Sequence, residues 1–391
     1  MTQVDDLSRS LAVFDQNTSL VVVVEMSEAS WLVAGLVPGV DRQPLKKLEP
    51  DPDALLRLLE RWRAEAVKTG QTIGRVTLAY EAGRDWFWLA RWLQARGIEV
   101  YVIHSTSVAV SREHRRAKTD RLDTAMLMRV VLGWLRGERG HCGMVAIPTL
   151  QEEDAKRSSR ERENLVSEQT RISNRMKSAL ARLGIRGFKP KLRKAPQRLA
   201  ALRTPEDLPI PPNTLDALGR DMARLAVVRD QIEEIEQARL ERLEQAPDEG
   251  PNAMVRLLAR IVGVGVGVGV ETADMLVREV LSRNLRDRRA VARYAGLTGS
   301  PDESGSKRRE KGLAKSGNAR VRRGLIQLAW RFLMFQKERA LAQWYRARTE
   351  GAKGARKTTM IVALARKLLI ELWRMVTTGA VPEGVVLRPA A

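Results

Sequence analysis

The sequence predicts an α/β domain, then a helical middle and a mostly helical C-terminal domain. Three observations carry that prediction. β-Branched runs such as LVVVVE at 20–25 alternate with helical patterns up to Arg136. Between Leu215 and Ile235 apolar residues recur at alternating spacings of three and four, the period of a coiled-coil seam. From Met254 onward helical patterns dominate, broken by glycine-rich turns.

Within the first region, residues 20–25 and 31–37 read as buried strands, antiparallel neighbours joined by MSEAS. Residues 51–68 form a helix opened by Asp-Pro-Asp, with Leu55, Leu58, Leu59 and Trp62 on its apolar face. Residues 75–80 are a strand running into Glu81. A helix at 86–96 is stopped by Gly97, a strand follows at 98–104, and an amphipathic helix begins near Thr119. The glycine-rich stretch 137–148 reads as a bridge that closes the domain.

The chain's 391 residues suffice for two or three domains, each with its own core. Its 68 Lys+Arg against 47 Asp+Glu give a net charge of +21, which points to polyanionic partners, nucleic acid first. A single cysteine, Cys142, excludes intramolecular disulfides and multi-cysteine zinc sites. His104, His114 and His141 are too scattered for a metal cluster. The opening MTQVDDLSRS carries acids and no apolar core, so no signal peptide is expected. The apolar stretch 360–376 is cut by Arg366, Lys367 and Arg374 and reads as a core helix, not a membrane span. The expected compartment is the cytoplasm, with no membrane partner.

Two of the strands end in acids, Glu25 and Glu81, and the helix near Thr119 carries Asp120 and Asp123. A spacing of three puts both aspartates on one helix face. Singly, each acid reads as a solvated strand end or, for Asp120, a helix cap. Together they stand where a ribonuclease-H-like sheet gathers carboxylates. Such a cluster repels itself unless cations neutralise it, so it implies divalent metal, with two Mg²⁺ ions as the expected cofactor. Asp15, in VFDQNTS, is the alternative first acid. Arg115, Arg116 and Lys118 would contact phosphate at the rim.

Beyond the bridge, residues 151–183 read as one long, highly charged, exposed helix. In GIRGFKPKLRK, Arg186, Lys189 and Lys191 surround Phe188. A base stacked on that ring and a packed aromatic in a solvated basic turn are both open. Residues 204–213 hold four prolines and read as an extended linker. The seam that follows could be satisfied by the 151–183 helix or equally well by a second subunit, and its spacing leaves both open. In MVRLLARIVGVGVGVGVETADMLVREVL, helix, glycine-rich turn and helix suggest a helix-hairpin-helix-like element, whose second helix would grip phosphate with free N–H groups. From Lys307 to Arg323 eight basic residues stand against one acid, a phosphate-facing surface formed by Lys307, Arg308, Arg309, Lys315, Arg320, Arg322 and Arg323. The apolar helices 325–335 and 359–376 would form a core, with Trp344 and Tyr345 between them open to core or nucleic-acid roles.

The segments VVVVEMSEASWLVAG, AYEAGRDWFWLARWLQARGIEVYVIH and KTDRLDTAMLM resemble the RuvC-like N-terminal domain of the DEDD transposases of the insertion-sequence one-ten family. The resemblance puts Glu25 where an aspartate is usual, Glu81 on the family's glutamate, and Asp120 and Asp123 on its final pair. YAGLTGSPDESGSKRREKGLAKSGNARVRRGL resembles the family's C-terminal transposase domain, in which a serine ahead of the basic run is the nucleophile. Counting back from Lys307 puts Ser304 at that position, ahead of Ser306 and Ser300. By its residues alone, a Ser-Gly-Ser loop is an ordinary turn. The implied domains are 1–148, RuvC-like and catalytic; 149–250, a coiled-coil linker; and 251–391, the transposase domain with the serine.

The resemblance further implies a DNA recombinase of a bacterial insertion sequence, nucleoid-associated. It would cut and rejoin donor and target DNA through the serine, be guided by a structured noncoding RNA, and act as a homodimer or tetramer, which favours an intermolecular share in the seam at 215–235. The alternatives are a RuvC-like nuclease that uses water, and a non-catalytic nucleic-acid-binding remnant.

Overall fold

The computed structural model describes residues 14–83, 86–108, 120–138, 142–261, 269–304, 307–313, 316–381 and 387. The chain divides into two units, Met1–Leu150 with Arg283–Ala290, and Gln151–Ser282 with Val291–Ala391.

The first unit is built on β1 (Ser19–Met26), whose residues Leu20 to Val24 are fully buried. Such a strand needs partners on both edges and cover on both faces. β2 (Trp31–Leu36) returns antiparallel to it, through a turn closed by Ser27 and Ser30, and pairs with β3 (Leu45–Leu48). α1 (Pro52–Lys68) starts at Asp51, whose side chain accepts the Asp53 N–H at 2.9 Å. Its Trp62 lies against Gly35 of β2, where a Cβ would come within 2.6 Å of the ring. β4 (Arg75–Glu81) enters parallel to β1 on its other edge. α2 (Phe87–Gln94) leads to β5 (Glu99–Ile103), parallel to β4, and after α3 (Asp120–Leu135) comes β6 (Met144–Val145), antiparallel to β5. The sheet order is β3-β2-β1-β4-β5-β6. This mixed sheet with its helices is consistent with the ribonuclease-H-like domain the sequence predicts.

The strands expected at 20–25, 31–37, 75–80 and 98–104 are all present, the first two antiparallel as expected. β3 and β6 were not expected. β3 is an exposed edge strand with two lysines, and β6 adds two residues to β5 inside the stretch read as a bridge.

Side-chain alternation divides the sheet's faces. Leu20, Val22, Val24, Leu78, Tyr80, Val100 and Val102 pack with α1 and α2. Val21, Val23, Ala79, Tyr101 and Ile103 pack with Leu127, Met128, Val131 and Trp134 of α3.

In the second unit, α4 (Leu150–Asp154) and α5 (Arg157–Arg182) replace the single helix expected at 151–183. α6 (Ala195–Ala200) lies between α5 and α7 (Pro212–Gln245). Arg175 pairs with Asp221 at 2.6 Å and Arg162 with Glu236 at 2.5 Å, so α5 and α7 run antiparallel. Ile172, Met176 and Leu180 pack with Leu218, Leu225, Val228 and Ile232. The seam's buried positions are thus filled within one chain, and the favoured second subunit is not needed to cover them. Phe188 is 8% exposed in this same core, so it is a packed aromatic and not a platform for a base. The proline-rich stretch folds back where an extended linker was expected: the Thr204 N–H bonds the Leu208 carbonyl at 2.9 Å, and Ile210 is buried.

α8 (Gly250–Ala259) and α9 (Gly269–Leu276) flank residues 262–268, so the expected hairpin turn lies outside the described residues. α9 runs into a π-helical turn, Val277–Leu281. α10 (Arg288–Tyr294) precedes a hairpin of β7 (Gly299–Ser304) and β8 (Lys307–Leu313). α11 (Ala319–Phe335), α12 (Ala340–Thr349) and α13 (Gly354–Thr378) follow, with α13 packed on α11 and α12. Tyr345 is buried and serves the core, while Trp344 is half-buried, its ring centre 4.9 Å from Lys367 Nζ and 5.2 Å from the Arg348 guanidinium. Among the described residues no helix is long and apolar enough to cross a membrane.

Candidate active site

Strand pairing brings the first two acids together. In the parallel β1–β4 ladder Val24 is opposite Tyr80, so Glu25 and Glu81, each one residue further on, end neighbouring strands. Strands lie about 4.8 Å apart. Both acids continue the alternation of Val21, Val23 and Ala79 and therefore belong to the face covered by α3. Glu25 is half-buried and Glu81 is exposed.

The direction of α3 decides whether the aspartates join them. At the helix's C-terminal end, Arg136 Nη2 reaches Gln16 Oε1 at 3.2 Å, just before β1 starts. α3 therefore runs antiparallel to β1. Its 16 residues span about 24 Å and the 8 of β1 about 26 Å, so the two are matched in length. The N-terminal end of α3 consequently lies over the end of β1 that carries Glu25. Asp123 precedes Leu127 by one turn on the sheet-facing stripe and is half-buried. Asp120, one turn earlier, is in the helix, and its side chain lies outside the described residues.

Asp15 belongs elsewhere. Its carboxylate accepts the Asn17 N–H and the Thr18 hydroxyl, both at 2.9 Å, in an exposed turn ahead of β1. A full strand length separates it from Glu81.

The donor set consists of carboxylates alone, which suits a hard divalent cation and not a soft one. Among the described residues no group of three or more His, Cys, Asp or Glu could by itself hold a metal ion. That is compatible with Mg²⁺, which takes one or two protein carboxylates and completes its shell with water and substrate phosphate. His114, Arg115, Arg116 and Lys118 lie outside the described residues.

The other predicted residues lie in the second unit. Ser304 ends β7, with its backbone opposite Lys307, the first residue of β8, and Arg308 and Arg309 follow along that strand. Ser306 and Lys315 lie outside the described residues. Arg320 and Arg323 both pair with Glu163 of α5, at 3.0 and 2.6 Å, and Arg322 Nη1 lies 3.5 Å from the Ser316 carbonyl. Part of the basic block is thus engaged in packing. Arg186 and Lys189 are exposed, and Lys191 donates to Gln169 at 2.6 Å. Glu271, in the first turn of α9, pairs with Arg239 and, at 2.9 Å, with Arg162. That helix start, expected to grip phosphate, therefore carries an anion of its own.

The sequence reading missed a buried ionic cluster. Arg239, 1% exposed, binds Glu271 and Asp274; Arg160 binds Glu279; Ser159 donates to Asp274 at 2.5 Å. Its signal was three acids, Glu271, Asp274 and Glu279, interleaved with apolar residues in one helical stretch.

Comparison with known proteins decides the family. One family model, described as transposase and named for the DEDD type of IS110, matches residues 41–185; a second, the transposase IS116/IS110/IS902 family, matches residues 250–345. The first match includes Glu81, Asp120 and Asp123 and begins after Glu25; the second includes Ser304. The protein y4rJ of Sinorhizobium fredii (strain NBRC 101917 / NGR234), which carries a provisional transposase name, is 39% identical over 381 residues, 95% of each chain. The chain belongs to the IS116/IS110/IS902 transposase family. A transposase for the insertion sequence element IS1328 of Yersinia enterocolitica is 28% identical over 227 residues, 57% of this chain and 62% of its own. Membership makes the protein an insertion-sequence transposase, an enzyme of DNA strand transfer. Its DEDD domain implies dependence on a divalent metal.

Proposed function

We propose that this transposase cuts and rejoins DNA through Ser304, assisted by two Mg²⁺ ions held by Glu25, Glu81, Asp120 and Asp123. The observation that supports the reading is the run of α3 antiparallel to β1, since it directs the helix start that bears Asp120 and Asp123 toward the strand end that bears Glu25. Ser304 Oγ bonds to the scissile phosphorus as phosphorus releases one bridging oxygen. The products are a phosphoserine ester and a DNA hydroxyl that takes up the proton lost from Oγ. A hydroxyl of another strand reverses the step and returns the proton to Ser304. One phosphodiester replaces another, so no external energy source is required. When bound, the metal supplies positive charge at the phosphate, where negative charge builds in the transition state.

The chain's own residues do the holding. Arg115, Arg116 and Lys118, beside the acids, and Lys307, Arg308 and Arg309, beside Ser304, contact phosphates of donor and target DNA. The exposed Arg186 and Lys189 support a second polyanion, read here as a structured noncoding guide RNA. Holding several strands at once calls for a dimer or tetramer. Domain roles follow 1–148 for metal, 149–250 for linkage and 251–391 for the nucleophile.

The test is strand transfer on supercoiled DNA with Mg²⁺. Ser304→Ala is expected to abolish product and the covalent protein–DNA adduct, while DNA binding persists. Cleavage undiminished in Ser304→Ala would instead identify a nuclease that uses water.

A further inference from the structure

The motif AKSGNARVRRG reads from sequence as a basic surface, but Gly317 and Asn318 are packed into the fold. Asn318 N–H donates to the Tyr294 carbonyl at 2.7 Å. Gly317 has φ +89°, and a Cβ there would come 2.5 Å from the Tyr294 carbonyl oxygen and 2.7 Å from that of Arg293. Tyr294 ends α10, shortly before β7, and Asn318 follows β8, so this contact closes the base of the β7–β8 hairpin below Ser304.

The Asn318 side chain works in two directions. Its Oδ1 accepts the N–H groups of Arg320 at 3.0 Å and Val321 at 3.2 Å, capping α11. Its Nδ2 donates to Glu279 Oε2 at 3.0 Å. Glu279 is 2% exposed in the π-helical turn, an irregularity frequent at functional sites. The same carboxylate accepts Arg160 Nε at 2.9 Å and Nη2 at 3.2 Å from α5. A cap needs Oδ1 alone. Stability by itself is a weak reason for a buried carboxylate behind it, because well-packed apolar residues are often as stable as a buried ion pair. A fixed geometry does account for it.

We propose that Asn318 and Glu279 are positioning residues for the Ser304 hairpin, fixing its base to α5 through Arg160. The proposal rests on the reading of Ser304 as nucleophile. It also has a consequence that does not need that reading: the hairpin's backbone is ordered by this link.

Asn318→Asp keeps the cap and replaces the donor facing Glu279 with a second carboxylate. In the full-length protein, amide hydrogen exchange over 299–304 and 307–313 is expected to quicken by about tenfold or more, the loss of one charge-assisted hydrogen bond. Single-turnover strand transfer is expected to slow similarly, with the Kd for DNA unchanged. Combining Asn318→Asp with Glu279→Gln restores a donor and acceptor in exchanged places, and is expected to recover both readouts. Should Asn318→Asp fail to fold, Glu279→Gln alone is read in the same exchange experiment, with faster hairpin exchange expected. Wild-type exchange in whichever single variant folds, or no recovery in the double variant, overturns the proposal. Strand transfer that survives Ser304→Ala sinks the nucleophile reading instead, and the exchange result still decides the link.

Discussion

The buried acids of the second unit and the strand-end acids of the first are placed in opposite ways. In the second, Asp221, Asp274 and Glu279 are buried, and each lies within ion-pair distance of an arginine: Arg175 and Arg224, Arg239 and Arg278, and Arg160. Burial pushes the Glu279 carboxyl up, but the Arg160 hydrogen bond and charge, with Asn318, leave it below the usual carboxylate range. The Arg175 hydrogen bond likewise lowers Asp221. In the first unit, Glu25, Glu81 and Asp123 stand at one end of a sheet, half-buried or exposed. A buried acid must find its counter-charge during folding, whereas an acid at a strand end can take one from outside. The DEDD domain's dependence on a divalent metal is what makes an outside charge worth testing at these acids.

The sharpest way to break this contrast is Asp123→Asn, which keeps the side chain's shape and removes its charge. We expect strand transfer to fall by roughly 10³-fold, the several kcal/mol a metal contributes at a developing charge, with the melting temperature unchanged. Retention of full strand transfer would remove Asp123 from the site. Arg239→Met should do the reverse, leaving Glu271 and Asp274 without their buried partner. A loss of about 3–5 kcal/mol in denaturant unfolding is expected. A smaller effect comes from pH. Glu279 and Asp221 have lowered folded-state values, so their stabilisation is complete above the unfolded carboxyl value of about 4 and is lost as pH falls through the folded ones. Thermal melts should therefore be lower at pH 3 than at pH 6, with a smaller difference in Glu279→Gln.

Much of the first unit was legible because its strands are β-branched and buried, and because Glu25 and Glu81 punctuate them. β3 was not, since LKKL has the pattern of a solvated loop, and β6 is too short to carry a pattern. The β7–β8 hairpin escaped for another reason: GSPDES and KRREKGL contain no β-branched residue, so local propensity argues against strands there. The seam's period was plain, but its partner was not, because one chain or two satisfy the same spacing. The ionic cluster was the least legible part. Ser159 and Asp274 are 115 residues apart, and nothing local ties them.

The valine run of β1 has a consequence for synthesis. Leu20 to Val24 must have a strand on each edge, yet β2 follows at once whereas β4 arrives only after the chain from Met26 to Arg75 has been made. At about 5–20 residues per second that interval lasts several seconds, with a wholly apolar edge unpaired. Such a segment is a template for cross-β association between nascent chains. Slow translation through α1, or a truncation before β4, should therefore send the protein to insoluble deposits, and co-expressed holdase chaperones should act most strongly within that interval.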